Sequence, residues 1–148
     1  MLELEINEEG LSLLLQASRD FAFQQIASGL PMMPFATCVK PGGDMDFVRF
    51  AEPGTDKTPD EVVELTEMEM TQAAGREELI AAAISSAVKL KQPEDGMTDA
   101  IRIKVEAPGF AREFLAFYAL EEGKDGEAGT LSPGKLVPFD SQPAIFAG

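Results

Sequence analysis

Residues 79–91 read LIAAAISSAVKLK, and the fold turns on whether they form a helix or a strand. Alanine favours helix by intrinsic propensity. At period two, the same residues place Ile80, Ala82, Ile84, Ser86, Val88 and Leu90 on one face. The opposite face carries Ala81, Ala83, Ser85 and Ala87, all small, which suits a strand that another element must approach closely. The following residues favour the strand. Pro93-Glu94-Asp95-Gly96 is a turn. Ile101, Ile103 and Val105 then alternate with Arg102, Lys104 and Glu106, the pattern of a half-exposed strand. Ala107-Pro108-Gly109 turns again into an apolar strand over 112–121. The economical solution is a three-stranded antiparallel meander spanning residues 79–121.

Upstream, Leu11, Leu14, Leu15, Ala22 and Ile26 recur at helical spacing, with Phe21 beside them, and predict a helix over 8–28. Gly29 stops it, and Pro31 and Pro34 keep it stopped. Leu2, Leu4 and Ile6 alternate with acids and read as a frayed start. Residues 35–40 and 46–51 are rich in β-formers and flank Pro41-Gly42-Gly43-Asp44, so 35–51 is a hairpin. Thr58 is placed as an N-cap, with Pro59 at the first helical position and Glu61 completing a capping box. That helix runs over 59–74 and ends at Gly75.

Downstream of Glu121 the sequence is rich in glycine and acids and loses periodicity. Leu136-Val137-Pro138-Phe139 and Pro143-Ala144-Ile145-Phe146 are short apolar patches between prolines. Residues 122–148 therefore read as a loop and an irregular docked tail. The expectation is one α+β domain over 1–148: a five-stranded antiparallel sheet with two main helices, in the order α-β-β-α-β-β-β. This layout resembles the roadblock and profilin-like arrangement. The chain also resembles small bacterial proteins that share a Pro34-Phe35-Ala36 hairpin start, an Ala81-Ala82-Ala83 third strand and a Pro143-Ala144-Ile145-Phe146 ending. The resemblance implies a fold and transfers no catalytic residue.

Charge narrows the partners. Twenty-six acids against twelve bases give a net charge of -14 over 148 residues. Duplex DNA carries about one negative charge per 1.7 Å of axis and repels such a chain, as does an anionic membrane surface. No local basic stripe offsets this. A basic protein partner is compatible with it. One cysteine excludes an internal disulfide and fits a reducing cytosol, so a cytoplasmic location is expected. No secretory signal is recognisable at Met1, and no apolar run is long enough to span a membrane.

The chemistry is mostly negative. There is no histidine, which removes the usual general base and the commonest metal ligand. Ser–His, Cys–His and Cys/His zinc arrangements are excluded. Lys40-Pro41-Gly42-Gly43-Asp44 lacks the lysine and hydroxyl of a phosphate loop. Cys38 sits in a strand and reads as a core residue despite Lys40 on its face. The acids of 121–127 surround glycines, but they lack the spacing of a calcium loop. No catalytic residue, cofactor or metal site is therefore expected.

Three sets of residues remain. Glu69 falls within the apolar arc of Val62, Val63, Thr66, Met70 and Ala73, between Leu65 and Ala73; it is either a candidate buried acid or the edge of that arc, reaching solvent or pairing with Arg or Lys. Asp60, Glu61, Glu64 and Glu67 form an acidic helix face for a partner contact. Phe110, Phe114, Phe117 and Tyr118 make both faces of one strand apolar and form a candidate interface. Two helices on one sheet face would leave the other for the tail or a second subunit. The first reading is a non-catalytic, bacterial-type binding domain acting as a homodimer. The alternatives are an acidic inhibitor or immunity-type protein for a basic partner, and a small-molecule or carboxylate-based hydrolytic role.

Overall fold

A computed structural model describes residues 6–29, 32–52, 55–94, 96–121 and 130–146. The expected alternation at 2–6 lies outside them except for Ile6, and the acid-rich loop except for Glu121. The described elements are α1 (Glu8–Ala27), β1 (Phe35–Val39), β2 (Met45–Val48), α2 (Pro59–Gly75), β3 (Ala81–Glu94), β4 (Met97–Ala107), β5 (Phe110–Glu121) and β6 (Thr130–Asp140). The architecture is α+β, with an antiparallel sheet ordered β2-β1-β3-β4-β5-β6.

The disputed 79–91 segment supplies most of a long strand, β3, between β1 and β4. Its small residues have a direct cause. Thr37 and Cys38 are neighbours on β1 and point to opposite faces. Ser18 of α1 meets Thr37 at 2.8 Å, while Met70 of α2 meets Cys38 at 3.2 Å. One helix therefore lies on each face of the sheet, where the sequence allowed both on one. Both pack on β3, and Ala81, Ala82 and Ala83 are completely buried between them.

The helices carry their expected starts. Thr58 accepts from the Glu61 N–H, and the Glu61 carboxylate accepts from the Thr58 N–H at 2.9 Å. Those bonds hold the Glu61 carboxyl below its usual range. Asn7 caps α1 by accepting from Gly10 N–H. Gly42 and Gly43 turn the β1–β2 hairpin with φ of 101° and 99°, backbone that side-chain-bearing residues resist.

The five-stranded expectation is corrected to six. Residues 130–140, read as loop and tail, pair along β5 from Thr130–Glu121 to Asp140–Arg112. Two features hid this strand. Pro133 and Pro138 cannot donate to a ladder on both sides, so they fit only an edge strand. Between the Ala116–Leu136 and Tyr118–Pro133 pairs, β6 spends one more residue than β5. This bulge breaks the period-two pattern and keeps both Leu131 and Leu136 on the α1 side. Gly134 lies at the bulge because a Cβ there would sit 3.2 Å from the Phe117 carbonyl oxygen.

Ala82→Leu tests the close approach at β3. The added methylenes should cost about 1–3 kcal/mol. Urea unfolding of the variant against wild type measures it, and unchanged stability would contradict the packing described.

Candidate functional site

Among the described residues the one completely buried acid is not Glu69. Glu69 lies at the half-buried margin of α2, whereas Glu106 of β4 has no exposed surface. Strand alternation puts Glu106 on the α2 side, opposite Ala82 on β3 and Ala111 on β5. Its Oε1 accepts from three consecutive backbone N–H groups, of Ala144 (2.7 Å), Ile145 (2.9 Å) and Phe146 (3.4 Å). Oε2 has no hydrogen-bond partner among the described residues and faces Lys104 Nζ at 3.6 Å. Successive amides converging on one oxygen make an anion-holding concavity, here supplied by residues 144–146.

Ile145, 4% exposed, joins the apolar cluster of Ala36, Cys38, Met70, Ala73, Leu79, Ala82 and Ile84. The expected docking of the Pro-Ala-Ile-Phe patch is thus observed, with an anchor the sequence reading missed. Glu106 was read there as the outward-facing member of an alternating strand. It does point away from Ile103 and Val105, but that face is covered locally by 143–146. The available signal was the unpaired apolar patch at 143–146, which had to bury itself somewhere.

Burying a carboxylate costs several kcal/mol, and charge-assisted hydrogen bonds of about 1.5–3 kcal/mol each offset it. Burial of Ile145 adds about 1.5–3 kcal/mol.

The acids expected on one helix face separate. Asp60, Glu61 and Glu64 are exposed, but Glu67 turns toward the sheet. With Val63, Ile84, Ser86, Arg102 and Lys104, Glu67 lines a groove of about 160 Å³ at the margin of α2. Arg102 is already engaged by Glu113 at 2.6 Å. The four aromatics expected at an interface also separate. Phe117 is buried on the α2 side and Tyr118 on the α1 side, where it packs on Phe23 at 5.6 Å. Phe110 and Phe114 are half-buried against Leu11 and Leu15 of α1.

A larger concavity lies along the second half of α1. It measures about 550 Å³ and is lined by Ala17, Asp20, Phe21, Phe23, Gln24, Ala27, Phe47 and Leu131. Phe47 of β2 stacks on Phe21 with centroids 4.4 Å apart and 14° between planes, yet remains 44% exposed. Leu120 and Leu136, also exposed, lie on this side of the sheet. Charge is sparse here: beyond Glu8 and Glu9, α1 carries only Arg19 and Asp20, which pair at 3.5 Å. Asp20 and Gln24 alone supply polar side chains, an arrangement suited to contact and poor in acid–base groups.

Cys38 is a core thiol. Burial, and secondarily Asp46, push it up to about 11, and it lies 3.2 Å from Met70 Sδ. Lys40 instead bonds Asp46 at 2.6 Å. Among the described residues no cluster of three or more Cys, Asp or Glu is placed to hold a metal ion, and no helix is long and apolar enough to cross a membrane. No family model, curated protein or solved structure matches the chain.

Two measurements follow from this chemistry. Glu106→Ala should lower unfolding free energy by about 2–3 kcal/mol, while Glu69→Ala should stay within about 0.5 kcal/mol, as surface changes do. Equal effects in urea titration would contradict the placement of the two acids. The Cys38 thiol ionises near 9.0 when unfolded and near 11 when folded. Its raised folded value means that its stabilising contribution is complete below the lower figure and is lost as pH rises through the upper. Wild type should therefore lose stability faster than Cys38→Ala across that interval, and parallel curves would contradict it.

Proposed function

We propose that this chain is a non-catalytic association domain that forms a homodimer through the α1 side of its sheet. The observation that carries the reading is an apolar groove whose one charged lining residue, Asp20, is paired with Arg19, on a chain of net charge -14. Two such chains repel wherever their acids meet. The α1 face, with Arg19 and Asp20 already paired, is where a second copy can approach without that repulsion. Phe47, Phe21, Leu131 and Gln24 form its contact centre, and a two-fold axis makes such a surface self-complementary.

The edges of the sheet favour a face over strand-to-strand pairing. β2 has four residues, β6 carries Pro133 and Pro138, and the half of β3 beyond Ser85 bears Lys89, Lys91 and Pro93. Short length, proline and lysine are the devices by which edges avoid pairing.

A second reading rests on the opposite face. Asp60, Glu61 and Glu64 are exposed on α2, which suits a basic protein partner drawn by charge. Salt separates the two readings. Screening relieves repulsion between like-charged copies and weakens attraction to a basic partner.

Sedimentation equilibrium between about 50 mM and 500 mM salt tests the proposal. A dimer is expected whose affinity rises with salt. Gln24→Glu, which places a charge at the lip of the groove, should weaken it about tenfold or more, or about 1.4 kcal/mol. A strict monomer at every concentration, or a dimer indifferent to Gln24→Glu, would contradict the reading.

A further inference from the structure

We propose that the cleft filled by residues 143–146 is a receptor for the same segment of a second copy, so that two chains exchange these straps. This association is separate from the α1-face dimer, because the cleft lies on the α2 side. Three observations carry it.

The receptor is built without the strap. Its walls are Ala36 and Cys38 of β1, Met70 and Ala73 of α2, and Ala82 of β3, with Glu106 of β4 beside Ala82. All belong to hydrogen-bonded strands or a capped helix.

The recognition chemistry is specific and internal to the pair. Glu106 is buried, and every hydrogen bond it accepts among the described residues comes from the strap. Its second oxygen has none. A buried carboxylate held this way has been shaped for a turn of three consecutive amides whose middle residue, Ile145, packs into the cluster of Cys38 and Met70. The same segment of another copy offers identical groups.

The strap is also mechanically separable. It follows Asp140 at the end of an edge strand, through residues 141–143, which belong to no strand. From Asp140 the path runs past β5 to β4, two strand spacings or about 10 Å. The four links from Asp140 to Ala144 reach about 13 Å when extended, so the connector closes in its own chain. Releasing the strap breaks the Glu106 bonds and exposes Ile145 but leaves all six strands paired. A site that accepts a segment from its own chain accepts it from another once concentration competes with the tether.

The test uses full-length chains carrying Gln24→Glu, so that α1-face association does not contribute. One chain adds Ile145→Asp, which spoils the strap and leaves the cleft. The other adds Glu106→Ala, which spoils the cleft and leaves the strap. Each should sediment alone as a monomer, and an equimolar mixture at about 100 µM should form a one-to-one heterodimer. A labelled peptide of residues 141–146 should bind the Ile145→Asp chain about tenfold or more tighter than the Glu106→Ala chain. A milder pair, Ile145→Ala with Glu106→Gln, is run in parallel and decides the matter if either stronger change unfolds its chain. A mixture that stays monomeric overturns the exchange. So does peptide binding without a heterodimer, because the cleft then serves only its own chain. Gln24→Glu parents that dimerise alone, with Ile145→Asp making no difference, overturn it as well.

Discussion

Two helices approach the same five residues of one strand from opposite sides, and the rest of the molecule is arranged around that constraint. Residues 81–85 of β3 are buried on both faces, with Ala81, Ala82 and Ala83 contributing little more than backbone thickness. Small side chains let α1 and α2 come close enough to cover the centre of the sheet. They also fix which helix goes where. Thr37 and Ala83 share one face with Ser18, and Cys38 and Ala82 share the other with Met70. Once the helices are on opposite faces, the chain has two electrostatically different sides. One presents the sparsely charged α1 and the other the acidic α2.

That division gives the proposed associations their logic. Strong net charge keeps copies of a small domain apart in general. Broad contact between copies is then favoured where charge is absent or already paired, and the groove beside Phe21 and Phe47 is such a place. The strap on the other side rests on a different interaction. There a carboxylate removed from water is compensated by backbone N–H groups of one short segment. The two proposed associations thus rest on a broad apolar contact and a narrow polar latch.

Much of the fold was legible in the sequence because local signals agreed with tertiary demand. The capping box at Thr58 and Glu61, the glycine turn at 42–43 and the alternation over 101–106 each specify one element without outside help. The 79–91 segment needed its neighbours, since alanine favours helix by propensity and only a position sandwiched between helices calls for it in a strand. β6 was not legible. An edge strand has no obligation to alternate, and a bulge with two prolines erased what pattern there was. The buried acid, Glu106, was missed for a related reason. A helical wheel shows the arc of Glu69 but not that α2 stops short of covering it. Strand alternation puts Glu106 outside, and only the return of 143–146 across β4 brings it inside. Long-range closure of this kind leaves no local trace beyond an apolar patch with no evident place to go.

The most direct test of this account is amide hydrogen exchange read residue by residue in increasing, sub-denaturing urea. Ala81–Ser85 amides should exchange only through global unfolding, with protection that falls steeply with urea. The amides of Ala144, Ile145 and Phe146 should exchange through a local opening that releases the strap and is nearly insensitive to urea. If those three amides instead follow the global isotherm of β3, the strap is an inseparable part of the core. If β3 exchanges as freely as β6, the strand between the helices is not what holds the molecule together.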